Sequence, residues 1–222
     1  LSSSAATNHQ PLMPKPPVMK TVLEPPHPAD AIDKDLLDLC EQSHTRGSGA
    51  GGQHRNKVST GVKLKHTPTG ESVSATDSRS QQQNLSAAAF RLRLRLALNH
   101  RLERPPEPSA LWRSRTTKQG QMSVNERHAD FPALLAEALD HTWQSGGVLS
   151  LTASTLGVST SQLRKFLAKE PQAMQRVNAL QLSLGLKRPP GQPAAGPDGT
   201  NQTSDESDDR ASPGDVLPEA TL

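Results

Sequence analysis

The chain has 222 residues and a formal net charge of +3, and 32% of its residues are hydrophobic. Its 19 prolines, three phenylalanines and lack of tyrosine leave material for only modest hydrophobic cores. Cys40 is the only cysteine, which excludes an intramolecular disulfide and a zinc site built from several cysteines. No stretch approaches the roughly 18 consecutive apolar residues of a membrane span. No basic-then-apolar signal segment opens the sequence, so we expect a cytoplasmic protein.

The first segment, residues 1–30, contains seven prolines that interrupt any helical or strand pattern and predict a disordered leader. Residues 31–42 then predict a short helix, because their apolar side chains share one helical face. Those side chains belong to Ile32, Leu36, Leu39 and Cys40. A strand is expected to follow this helix and to lead into the next segment.

That next segment is rich in glycine, with Gly47, Gly49, Gly51 and Gly52 lying within six residues. Glycine adopts positive φ angles readily and lets a loop approach a substrate closely. Successive N–H groups in such a loop, which Gln53 ends, can stabilise an oxygen that is becoming negative. The spacing alone is equally compatible with a plain flexible turn. Neither the Gly-Lys-Ser/Thr of a P-loop nor the parallel-strand setting of a dinucleotide motif is present.

A β-hairpin is predicted after the glycine-rich segment. Residues 58–67 alternate apolar and basic side chains as a half-buried strand does. Residues 68–70, Pro-Thr-Gly, predict a turn, and residues 73–78 predict the returning strand.

The segment 81–103 predicts a long helix, although part of it alternates Leu and Arg as a strand would. It contains no Gly or Pro, and its apolar residues recur at helical spacing. The recurring residues are Leu85, Ala89, Leu92 and Leu96. The remaining surface is expected to carry Arg91, Arg95 and Arg101. With the hairpin, this helix predicts an α+β domain over residues 31–104, a small antiparallel sheet with a packed helix.

A second, all-α domain is predicted over residues 128–188, after a linker over 105–127. It contains a helix-turn-helix pattern with its turn at Gly157, followed by a last helix that starts at Pro171. Ser159 or Ser161 is expected to cap the second helix of that pattern. Residues 189–222 predict a disordered acidic tail.

Positive charge is concentrated on one part of the chain. Residues 44–118 contain 14 Lys and Arg against 4 Asp and Glu, a net charge of +10, whereas residues 189–222 carry a net charge of −6. A compact domain this basic is expected to face a polyanion, and RNA is the natural one. For the helix-turn-helix pattern we expect contact with RNA or the ribosome, or protein docking, and DNA binding is unlikely.

The stretch from about residue 35 to residue 104 resembles the catalytic domain of class I peptide chain release factors. The resemblance is carried by ordered motifs: Arg46-Gly-Ser-Gly-Ala-Gly-Gly-Gln-His-Arg-Asn-Lys57, then Val62-Lys-Leu-Lys-His-Thr-Pro-Thr-Gly70, then Arg79-Ser-Gln81, then a long Leu/Arg helix. It implies that the loop enters the peptidyl-transferase centre of the large ribosomal subunit. There, water attacks the ester that joins the nascent peptide to tRNA.

The resemblance also implies residue roles. Gln53 is the catalytic contributor, chiefly through its backbone N–H, and Gly51 and Gly52 permit the required conformation. Contacts to ribosomal or tRNA phosphate are implied for Arg46, Arg55, Lys57 and Arg79. Ser80 and Gln81 match the family motif and are also explained by support of the junction between hairpin and helix.

Three functions remain open on the sequence. The preferred one is a codon-independent peptidyl-tRNA hydrolase that rescues stalled ribosomes, because no codon-reading tripeptide loop precedes Arg46. The others are a stop-codon-dependent termination factor and a ribosome-associated or RNA-binding module without catalysis. We expect a monomer with no membrane partner. No cofactor or metal is expected. The loop offers no Ser-His-Asp arrangement, carboxylate pair or metal-ligand cluster near Gln53, so we do not expect direct nucleophilic catalysis by the protein.

Overall fold

The computed structural model describes residues 22–23, 25–31, 33–45 and 60–186. It confirms the mixed fold, a small antiparallel sheet with packed helices followed by short helices. The predicted acidic tail lies outside the described residues. All described residues belong to one compact unit. Within these ranges, no helix is both long enough and apolar enough to cross a lipid bilayer.

The elements are numbered here in chain order. The strands are β1 (Val22–Leu23), β2 (Cys40–Thr45), β3 (Gly61–His66), β4 (Ser72–Ala75) and β5 (Arg101–Leu102). The α-helices are α1 (Asp33–Asp38), α2 (Gln81–Asn99), α3 (Ala110–Arg115), α4 (Phe131–Gln144), α5 (Leu149–Thr155), α6 (Thr160–Leu167) and α7 (Pro171–Ser183). A 3₁₀ turn spans Pro28–Asp30.

The sheet has the order β2-β3-β4, and both of its strand pairs are antiparallel. Val62 and Leu64 of β3 are buried and Lys63 and Lys65 are exposed, so the alternation in the sequence sets the two faces of the strand. Gly70 closes the β3–β4 turn with a φ of +72°. The predicted hairpin is therefore confirmed.

The helix α2 packs its apolar stripe on the buried face of the sheet, with Ala88, Leu92 and Leu96 in the shared core. It ends at Asn99, four residues before the predicted end, because Arg101 and Leu102 leave the helix to pair in parallel with β1. The prediction that Arg101 lies on the surface is wrong. Its guanidinium is buried and donates to the carbonyl oxygens of Ala97 at 2.8 Å and Leu98 at 2.6 Å, near the end of α2.

The predicted helix over 31–42 is shorter in the structure. α1 ends at Asp38, Leu39 is 50% exposed, and Cys40 is the first residue of β2. Leu36 alone of the predicted helical face is fully buried among the described side chains. Pairing of Cys40 with His66 across the sheet overrides the local helical pattern, because each added ladder residue satisfies backbone groups.

Part of the predicted leader is packed structure, so the prediction of disorder is wrong for residues 25–30. His27 and Ala29 are fully buried. The carbonyl oxygen of Ala29 accepts from Arg93 Nε at 3.1 Å, which fastens this segment to α2. The burial has a clear cause: Ala29 packs with two other alanines, Ala97 of α2 and Ala136 of α4, where only small side chains fit.

The helical segment is built as predicted. Gly157 makes the turn between α5 and α6 with a φ of +66°, and the Ser159 hydroxyl caps α6 by accepting from Gln162 N at 3.2 Å. Its core contains Trp112, Phe131 and Phe166, and Phe166 meets the other two rings edge-on at 5.7 and 5.5 Å.

The predicted linker also contributes to that core. Trp112 of α3 is buried and its indole Nε1 donates to Leu156 O at 2.9 Å. Because α4 packs directly on α2, the two predicted domains are in contact along these helices.

A buried ion network joins the RNA-facing and helical parts predicted from the sequence. Asp140 of α4 has no exposed surface and accepts from Arg104 Nε at 2.8 Å, Leu102 N at 3.1 Å and Arg101 Nη1 at 3.4 Å. Arg104 also donates to Asp30 at 3.1 Å. Removing one partner of such a network would leave an uncompensated buried charge.

His27 is held neutral inside this junction. Its Nδ1 accepts from Ala29 N at 3.0 Å, and its Nε2 lies 3.4 Å from His100 O. Burial, followed by the charge of Arg104, lowers the pKa of His27 to about 3. The unfolded chain therefore binds a proton that the folded chain excludes as the pH falls from the ordinary value of 6.5 towards 3. Stability from this group is complete above that window and is lost within it.

We expect His27→Asn to flatten the acid side of the pH–stability profile. Asn keeps an oxygen that can accept from Ala29 N but cannot be protonated, so the slope between about pH 6 and pH 4 should fall by up to about 1.4 kcal/mol per pH unit. Urea unfolding at a series of pH values measures this. His128→Asn is the matched control, because exposed His128 makes the same two-residue contact to Asp130 N, at 3.1 Å. An unchanged slope in His27→Asn would contradict the assignment.

Candidate active site

The glycine-rich segment lies between β2 and β3 in the sequence, and residues 46–59 lie outside the described residues. Six of the predicted site residues fall there: Arg46, Gly51, Gly52, Gln53, Arg55 and Lys57. The structure describes the base of the loop on both sides. The geometry of that base fixes where the loop leaves and re-enters the sheet.

The two ends of the loop are brought together by the last residue pair of the β2–β3 ladder, Thr45 and Gly61. A Cβ on Gly61 would lie 2.5 Å from Thr45 Oγ1, 2.7 Å from Thr45 O and 2.8 Å from Thr76 Cγ2. Glycine is therefore required here by the close approach of neighbouring chains. The strands can meet tightly at the mouth of the loop only because this side chain is missing.

Asn84 fastens the loop base to α2. Its side chain is fully buried, and Nδ2 donates to Thr60 O at 2.7 Å and to Ser78 O at 2.8 Å. Its Oδ1 accepts from Ser78 N at 2.8 Å. A single amide thus ties the residue before β3 to the turn that precedes α2, and it satisfies buried backbone groups on both.

The start of α2 lies beside the same base. The Ser80 hydroxyl caps the helix by accepting from Gln83 N at 3.4 Å, and Gln81 Nε2 donates to His44 Nδ1 at 3.1 Å. His44 is the next-to-last residue of β2. Ser80 and Gln81 therefore support the junction of sheet and helix. The amino end of α2, which carries partial positive charge, lies at the loop base.

Arg79 is the one predicted phosphate contact among the described residues. It is exposed and lies between Ser78, which Asn84 binds, and the helix cap Ser80. Lys63 is exposed on the open face of β3, two residues after the loop re-enters the sheet. Both cations are accessible to a polyanion near the loop base.

Other cations of the basic segment have acidic partners. Arg91 lies 2.7 Å from Asp77, and Lys65 lies 3.1 Å from Glu41. In the described ranges, no group of three or more His, Cys, Asp or Glu side chains has an arrangement suited to a metal ion.

Sequence reasoning missed three residues of the loop base: His44, Gly61 and Asn84. A signal for Asn84 was present, since it occupies the first position of the buried stripe that continues with Ala88 and Leu92. A buried amide in an apolar stripe indicates a specific hydrogen-bonding partner. Gly61 and His44 gave no comparable signal, because their roles depend on contacts across the sheet.

Comparison with protein-family models matches residues 32–134 to the RF-1 domain. This part of the chain is similar to the RF-1 domain. The RF-1 domain is the catalytic domain of class I release factors and contains their Gly-Gly-Gln loop. The match supports a release-factor-like role in peptide release, and proteins of this family act on the ribosome. The match extends into α4, and α5 to α7 lie beyond it.

We expect Asn84→Asp to damage both stability and peptide release. The carboxylate would place acceptors against the carbonyl oxygens of Thr60 and Ser78, so unfolding should be easier by about 2–4 kcal/mol. Release, measured at a temperature where the variant remains folded, should slow because the loop base is no longer held. Gln82→Glu is the matched control, since it makes the same chemical change at an exposed position of the same turn. Equal unfolding free energies and equal release rates in the two variants would refute the role of Asn84.

Gly61→Ala should slow peptide release by forcing β2 and β3 apart at the mouth of the loop. The added methyl group has no room against the backbone oxygen of Thr45. Gly70→Ala serves as the control, because Gly70 lies in the opposite turn of the sheet with open space around it. The control should lose about 1–2 kcal/mol through its positive φ and keep its release rate. Normal release by Gly61→Ala would show that the close approach is dispensable.

Proposed function

We propose that this protein hydrolyses the ester of peptidyl-tRNA on the ribosome without reading a stop codon, and so frees stalled ribosomes. The observation that carries the proposal is the RF-1 domain whose loop contains Gly51, Gly52 and Gln53. The codon-independent form is supported by the segment after the match, which forms the short helices α5 to α7.

In the proposed reaction, a water oxygen attacks the ester carbonyl carbon in the peptidyl-transferase centre. The bond to the 3′-terminal ribose oxygen breaks, that oxygen takes up a proton, and the peptide leaves with a new carboxyl group. The backbone N–H of Gln53 stabilises the charge that develops on oxygen, and its side chain helps to admit and orient water. Gly51 and Gly52 supply the backbone conformation.

The described residues act as the support for that loop. The Thr45–Gly61 pair fixes the spacing of its two ends, and Asn84 binds the end that enters β3. A catalytic loop that must enter a crowded RNA cavity gains from a fixed base, because errors of about 1 Å in placement are costly. We assign Arg79, with Arg46, Arg55 and Lys57 of the loop, to contacts with ribosomal or tRNA phosphate.

The proposal is tested with ribosomes that carry formylmethionyl initiator tRNA and one of three messages. The codon after the start codon is a stop codon in the first and a sense codon in the second, and the third message ends at the start codon. We expect release on the truncated message, with no requirement for a stop codon. Release confined to the stop-codon complex would make the protein a termination factor. Ribosome binding without release on any message would indicate a non-catalytic module.

A further inference from the structure

The helical segment over residues 105–186 has a more basic surface than its composition shows. Residues 105–186 contain eight Lys and Arg against six Asp and Glu. Two of the acids are buried: Glu137 binds Ser109 and Asp140 binds the two arginines of the ion network. A third, Asp130, pairs with Arg115 at 2.5 Å. Half of the negative charge of this segment is therefore already neutralised or bonded within the fold.

The exposed cations of α6, the second helix of the helix-turn-helix, lie on one face of that helix. Ser161, Arg164, Lys165 and Ala168 are exposed and follow one another at intervals of three, one and three residues, which places them on one helical face. We call these four residues the α6 stripe. α6 contains no acidic residue, and the small side chains at the two ends of the stripe leave room for a bulky partner to lie close to the helix.

The opposite face of α6 is packed into the core, which fixes the orientation of the α6 stripe. Leu163, Phe166 and Leu167 are buried, and Phe166 packs edge-on against Trp112 and Phe131. A helix anchored by aromatic packing keeps its outer face in one orientation, so its cations are arranged before a partner binds.

A third cation, Lys118, lies in a separate segment that packs near the amino end of α6. Lys118 lies in the turn between Thr117 and Gly120, where Gly120 N donates to Thr117 O at 2.9 Å. Gly120 has a φ of +71°, and a Cβ there would lie 3.0 Å from Gly157 O, so this turn packs against the turn that precedes α6. Lys169 Nζ, beyond the carboxyl end of α6, donates to Val124 O and fastens the other end of the same segment.

We infer that the α6 stripe, together with Lys118, is a second RNA-binding surface that contacts the phosphate backbone. Its chemistry is cationic and lacks the apolar or aromatic anchors that stable protein interfaces use. RNA is the polyanion at hand, because RF-1 family proteins act on the ribosome. The α6 stripe lies outside the residues matched to the RF-1 domain and Lys118 lies within them, and the inference does not depend on catalysis by the loop.

The test uses the full chain and a labelled RNA hairpin, with anisotropy titrations at a series of KCl concentrations. The double variant Arg164→Gln/Lys165→Gln should bind the hairpin more weakly, and its log affinity should fall less steeply with log salt, by roughly 1.5 units of slope. Adding Lys118→Gln should lower the slope further, by close to one unit. Circular dichroism confirms that the variants are folded.

The matched control is Lys34→Gln/Arg113→Gln, which removes two exposed positive charges from α1 and α3. It should change the salt slope less than the α6 double variant does. Equal decreases of the salt slope in the two double variants would mean that the effect depends on net charge alone, and would overturn the inference. An unchanged slope in the α6 double variant would overturn it as well. Tighter binding of the wild-type chain to duplex DNA of the same sequence would overturn the assignment to RNA.

A non-catalytic outcome in the peptide-release assay would leave this inference standing, because hairpin binding is measured without ribosomes. Loss of the α6 contact, in turn, is expected to lower affinity for RNA without removing the Gly-Gly-Gln loop. The two proposals can therefore fail separately.

Discussion

The side-chain amide of Asn84 is the interaction on which the candidate active site depends. It makes three short hydrogen bonds from a fully buried position, and these join the residue before β3 to the turn before α2. A neutral amide suits the position because it offers both donors and an acceptor, whereas a carboxylate or an aliphatic side chain would leave backbone groups unpaired. The loop base is thereby fixed to the longest helix of the fold.

The helix α2 connects the loop base to other parts of the described structure. α2 packs on the sheet with one face, while Arg93 binds the backbone of residues 29 and 129. At its carboxyl end, Arg101 turns back onto the last carbonyl groups and meets Asp140 of α4. One helix thus connects the loop base, the packed segment before α1 and the helix α4.

Local patterns in the sequence predicted most of the elements. The hairpin followed from alternation in β3, and α2 was recognised from i, i+3 and i+4 spacing in spite of its Leu-Arg alternation. The errors lie where distant segments decide the outcome. Cys40 joins a strand because β3 offers it a ladder partner, Arg101 is buried because Asp140 reaches it, and residues 25–30 are ordered by packing on α2 and α4.

The candidate site likewise consists of residues that the sequence identifies and residues that only the assembled structure identifies. The glycine-rich motif could be identified from the sequence alone, since its residues are contiguous. The parts that hold it, His44, Gly61 and Asn84, come from three elements and are recognisable only once the sheet and helix are assembled. The phosphate contact of Arg79 stays a prediction, and its place between the Asn84-bound turn and the cap of α2 could not be predicted from the sequence.

The central claim is that the loop carrying Gly52 performs peptide release from this base. The most direct measurement is single-turnover release of labelled formylmethionine from saturating ribosome complexes, comparing the wild-type chain with Gly52→Ala. We expect release by the wild-type chain, a rate roughly 100-fold or more lower in the variant, and unchanged co-sedimentation with ribosomes. Release by Gly52→Ala at the wild-type rate would contradict the central claim.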